Sequence, residues 1–110
     1  MGCGIIVNQV WSGACADGVA YRPDSVDKQE LLKNGNGAAT LFAFDVGQSI
    51  GESSAPFDAM LWIAEGRAEV TVDGEVHSLS TGEMILIPAH RPHAVAAPER
   101  FKMVLVMLRS

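Results

Sequence analysis

The residues of this chain best equipped for chemistry lie late in it, where His90 and His93 are separated only by Arg91-Pro92. Imidazoles bind transition metals and exchange protons near neutral pH, so a close pair invites both readings. Glu52 and Asp58 are the carboxylates that would complete a set of two histidines and one carboxylate, the kind non-haem iron uses. Ser53, His93 and Asp58 would also compose a hydrolytic triad. Nothing supplies the strained turn beneath a nucleophile or an evident oxyanion hole, so that reading is set aside. The blander reading makes His90 an exposed loop residue and His93 a hydrogen-bonded strand residue. It is preferred, because loop histidines without partners are common at surfaces. His77 falls in the outer part of a strand pattern and reads as surface.

The whole chain limits what these groups can serve. Its 110 residues fit one domain and not two, since domains cluster around ~100–150 residues. A net charge of −5, with eight basic residues scattered and never in a run, disfavours a nucleic-acid surface or an anionic membrane. The apolar run between Met1 and Trp11 has no positive charge ahead of it and is too short to span a bilayer, so a cytoplasmic location is expected. Cys3 and Cys15 have neither a CxxC partner nor a nearby histidine, and they read as reduced thiols.

Short strands must position the candidate side chains. From Ala38 onward apolar residues recur with a period of two, and turn residues punctuate the chain every eight to twelve positions, the pattern of an all-β sandwich or barrel. The expected strands are 38–45, 59–64, 67–72, 75–79, 84–87, 93–97 and 101–108. Asp73-Gly74 predicts a two-residue hairpin turn, because both residues tolerate positive φ. Residues 1–37 read as N-terminal strands and loops of the same domain, and 38–110 as the barrel core. Ile5–Val10 and Lys28–Leu32 are the expected N-terminal strands; the second could instead be a short helix capped by Ser25, but the β surroundings favour a strand.

Two motifs sharpen this picture. Gly47 is followed by five residues, Ser53-Ser54-Ala55, three residues, Ala59, six residues and Gly66. Gly82 is followed by five residues, Pro88-Ala89-His90, two residues and His93. These spacings resemble the two motifs of the cupin family, whose glycines and proline are in place here. The resemblance spans about Thr40 to Leu108 and implies a jelly-roll barrel (a double-stranded β-helix). In the family, three histidines and a glutamate hold a metal. Here the corresponding positions are Ser53, Ala55 and Ala59, with His93 alone retained, and His90 stands where the motif has glycine. The resemblance therefore implies the scaffold with its metal set largely dismantled, so no cofactor is expected. A divalent metal on His93, His90, Glu52 or Asp58 is the alternative.

Strand parity then outlines a cavity. Ser53, Ala55, Ala59, Leu61 and Ile63 would face it from one side. Ile85, Ile87, His93 and Val95 would face it from the other. Such a hollow is apolar with one imidazole and one hydroxyl, which suits a small, mostly apolar ligand fixed by one or two hydrogen bonds. The expected function is binding of such a molecule. The alternatives are a metal-dependent dioxygenase, isomerase or decarboxylase on a rearranged site, or a dimeric module without catalysis. Trp62 alternates away from the cavity, and the Phe101/Met103/Leu105/Met107 stripe reads as core or subunit contact. The resemblance makes a homodimer the default.

Overall fold

The computed structural model describes residues 4–109 and contains eight antiparallel strands. They are β1 (Val26–Asn34), β2 (Gly37–Phe44), β3 (Ser49–Ser53), β4 (Phe57–Val72), β5 (Glu75–Ser80), β6 (Met84–Ile87), β7 (His93–Ala96) and β8 (Phe101–Arg109). One sheet runs β1-β2-β8-β4-β6, and the other runs β5-β4-β7-β3. Strand β4 belongs to both. Its first half pairs with β6 and β8, and its second half pairs with β5 and β7. Two sheets joined by a shared bent strand curl into the jelly-roll barrel that the resemblance implied.

The bend in β4 has a local cause. Its register against β8 slips between Ile63 and Glu65, and Gly66 follows with φ of 85°. A Cβ on Gly66 would stand 2.2 Å from the Arg100 carbonyl oxygen, so only glycine lets the two backbones close at this corner. The sequence pattern divided this stretch into strands at 59–64 and 67–72. They are one strand, because the glycine marks a bulge and not an end.

Other elements follow the expected pattern. Asp73 and Gly74 have φ of 51° and 82° and turn β4 tightly into β5, as a primed hairpin turn requires. Residues 26–34 are strand and not helix. Residues 5–10 are not a strand: the chain turns there, with Asn8 at φ of 63°. Asn8 instead exchanges hydrogen bonds with Lys33, its side-chain oxygen accepting from the Lys33 N–H and its amide donating to the Lys33 carbonyl. Cys3 lies outside the described residues; Cys15 is a free, half-buried thiol, and burial raises its pKa.

Between the sheets lie Phe44, Leu61, Ile63, Val70, Phe101 and Met103, all almost fully buried. Phe44 and Phe101 stack with ring centroids 4.5 Å apart. On the outer face of the larger sheet, Gly18 packs so closely over Leu41 that an added Cβ would meet its side chain at 2.5 Å. The N-terminal arm thus covers one end of that face. The other end stays open, with Leu86 and Leu108 exposed beside Met60 and Val106. Trp62 points to this outer side, paired with Val104 and Met84. Among the described residues no helix is long and apolar enough to cross a membrane.

Candidate functional site

A cavity of about 180 Å³ opens between the two sheets. Strands β3 and β7 bring Ser53 and His93 to its wall as directly paired residues. Strand β3 carries one extra residue between Ile50 and Ser53 relative to its partner. This bulge restores the facing after three residues, so Ile50 and Ser53 both line the hollow while Glu52 stays outside it. Ala59 and Leu61 of β4 line the opposite wall, and Ala55 and Val95, also expected from parity, line the hollow with them.

The structure places the remaining candidates elsewhere. Ile63 and Ile87 share the inward face but are buried in the packed core, and Ile85 packs against that core. Alternation gives a residue's face and not its depth along the barrel. Phe57, Met103, Leu105 and Met107 line the cavity and were not in the expected set. Their alternation was legible as a stripe, but the register that sets Leu105 opposite Leu61 and Met107 opposite Ala59 was not. His77 is half-buried on the side of the buried Leu79, opposite Val70, and not on the outer side.

His93 is oriented by a backbone contact. Its Nδ1 lies 3.0 Å from the Arg91 carbonyl oxygen. A carbonyl only accepts, so the hydrogen bond requires Nδ1–H and leaves Nε2 as the acceptor of the neutral ring. Among the described residues nothing bonds Nε2 or the Ser53 hydroxyl. The loop before β7 is itself clamped. The Arg91 guanidinium pairs with the Asp73 carboxylate, and the Asp73 N–H donates to the Pro92 carbonyl at 2.9 Å. The carboxylate holds the Arg91 pKa above its ordinary value.

His90 and Asp58 do backbone work. His90 adopts φ of 67°, explaining why its position suits glycine, and its N–H donates to the Ala55 carbonyl at 2.8 Å. That bond ties down the loop between Ser53 and Phe57. Asp58 accepts from the Ala89 N–H at 2.9 Å, on the outer side with Met60 and Leu86. The triad of Ser53, His93 and Asp58 is therefore not assembled. Nor do His90, Glu52 and Asp58 converge with His93: among the described residues no group of three or more His, Cys, Asp or Glu side chains could hold a metal ion.

The barrel topology agrees with what comparison finds. The family model for the cupin domain matches residues 40–108. This chain belongs to the cupin family. A conserved protein of unknown function from Streptococcus pyogenes is 35% identical, with 94% of this chain and 89% of that one covered and a TM-score of 0.84. A cupin superfamily protein from Desulfitobacterium hafniense is 28% identical over 94% and 95% of the two chains, with a TM-score of 0.88. A cupin 2 conserved barrel domain protein from Leptotrichia buccalis is 33% identical, covering 86% of this chain and 46% of its own, with a TM-score of 0.82. No curated protein matches the chain. The metal that the family implies finds a poor donor set in this cupin: a hydroxyl at Ser53, methyls at Ala55 and Ala59, and a single imidazole.

Proposed function

We propose that this cupin binds a small, mostly apolar molecule between its sheets, oriented by the Nε2 of His93 and the hydroxyl of Ser53, without a complete metal site. The cavity carries the reading: its walls are Leu61, Leu105, Met107, Phe57 and other apolar groups, and its polar side chains are these two. Apolar walls supply affinity by releasing water, and one or two fixed hydrogen bonds supply orientation. Arg91 and Asp73 support it by fixing the imidazole's tautomer and direction, as groups behind a binding residue do. The test is a thermal-shift screen with aromatic and enolic acids, run on the native protein and on His93→Ala. A ligand that stabilises the first and not the second supports the reading. Indifference of the native protein across the whole panel would leave a purely structural module.

The proposal includes a homodimer and a cytoplasmic setting. The dimer is motivated by the exposed apolar end of the outer face, where Leu86 and Leu108 stand uncovered. Light scattering on eluting protein tests it, and a monomer mass at micromolar concentration would remove it.

A further inference from the structure

We infer that the ligand carries an anionic group on its apolar body, and that Arg109 receives that group in the hollow beside the cavity. The inference rests on the binding reading above and narrows the ligand to a class, small apolar carboxylates or their equivalents.

The inner face of the larger sheet changes character from β4 to β1. Along one row Leu61 pairs with Leu105, Leu105 with Thr40, and Thr40 with Glu30. Along the next, Ala59 pairs with Met107, Met107 with Ala38, and Ala38 with Lys33. Arg109 ends β8 opposite Phe57, one inward-facing position beyond Met107, whereas Lys28 lies opposite Phe42, beyond Glu30 at the other side of these rows. The apolar half of each row lines the cavity of His93. The charged half lines a second, open hollow of about 380 Å³. Phe57 and Met107 line both. The two hollows are neighbours across that pair, and the proposed ligand passes over it, with its apolar part inside and its anionic end in the open hollow.

The charge there runs against the rest of the chain. In a protein of net charge −5, this hollow gathers Lys28, Lys33 and Arg109 against one carboxylate, Glu30. Glu30 lies 3.9 Å from Lys33, which leaves Lys28 and Arg109 without a carboxylate partner among the described residues. A simpler account exists for the lysines: β1 is an edge strand, and inward-pointing lysines on an edge discourage another chain from adding to the sheet. That account does not reach Arg109, because β8 lies between β2 and β4. A guanidinium at this place has the fork geometry to take a carboxylate in two parallel hydrogen bonds.

Matched pairs of probes test this: benzoate against benzamide, hexanoate against hexanamide, and cyclohexanecarboxylate against its amide, titrated into the full chain and followed by amide chemical shifts. The expected result is that carboxylates bind about tenfold more tightly than their amides. The variant Arg109→Met should lose most of that preference, the acids weakening about tenfold and the amides much less. Arg109→Gln replaces it if it does not fold. Equal binding of acids and amides, or a preference that survives in the variant, overturns the anion site and leaves the cavity reading standing. Binding of no probe at millimolar concentration overturns both.

Discussion

The two ends of the barrel treat their polar groups in opposite ways. At the end where β2 and β8 meet at Phe44 and Phe101, each of the main charged groups has a partner. Tyr21 donates to Glu65 at 2.6 Å, and Lys102, itself 8% exposed, donates to the Ala16 carbonyl at 2.5 Å. Arg100 donates to Asp45, whose other oxygen accepts from the Asp24 N–H at 2.7 Å. The Lys102 ammonium and the Arg100 guanidinium both lie over the Tyr21 ring, at 4.7 and 5.1 Å. Desolvation and the Glu65 carboxylate push the Tyr21 pKa well up, so its proton stays in the bond. This end is a clasp between the N-terminal arm and the barrel. At the other end, among the described residues, Ser53, the Nε2 of His93 and Arg109 have no such partners. A buried polar group without a partner is costly. Groups left open beside an apolar hollow are tolerated because they border water, and there they remain free to meet a ligand.

The contrast predicts that substitutions at the closed end change stability and those at the open end change binding. The largest effect is expected at the corner that makes the closed end. Gly66→Ala should cost about 3 kcal/mol or more, from positive φ and backbone collision together, read as a lowered midpoint in urea. Lys102→Ala should cost about 2 kcal/mol by removing a charged donor from the Ala16 carbonyl. Tyr21→Phe should cost about 1 kcal/mol. If any of these leaves the melting temperature unchanged, the clasp is not a stabilising element.

Asp45 sharpens the comparison through pH. The hydrogen bond from Arg100, then that from the Asp24 N–H, lowers its pKa. A lowered folded-state pKa means stabilisation that is complete above the unfolded carboxylate value of about 3.9 and is lost as pH falls through the folded value. Asp45→Asn should therefore melt earlier than the native protein at neutral pH, with the gap closing as the pH drops below about 4. A gap that is constant with pH would contradict this assignment. The smallest stability effect is expected at the open end. His93→Ala should shift the melting temperature of the ligand-free protein little, within about 0.5 kcal/mol, because the ring makes one hydrogen bond near solvent.

Much of the fold was legible because alternation is a backbone property. The β surroundings favour a strand over a helix at β1, and the Asp73-Gly74 turn follows from residue type alone. The errors have physical sources. Gly66 looks like a strand end but is a bulge inside one, since positive φ serves both. Residues 5–10 are rich in β-branched side chains like a strand, but Asn8 turns the chain and its side chain hydrogen-bonds Lys33 instead. The site was legible by face: Ser53, Ala55, Ala59, Leu61, His93 and Val95 do share one wall system. Its depth was not, so Ile63, Ile85 and Ile87 share the expected face but belong to the packed core or lie against it. Nor was the register, which alone brings Phe57 and Met107 between the imidazole and the basic end.

The central claim concerns one atom, the open Nε2 of His93. Its ring can be watched directly through imidazole ¹⁵N shifts and long-range proton correlations while a stabilising ligand from the screen is titrated in. The account predicts an Nδ1–H tautomer in the free protein and a shift of Nε2 that saturates with the ligand. An Nε2–H tautomer in the free protein, or an Nε2 signal that does not move at saturation, would contradict it.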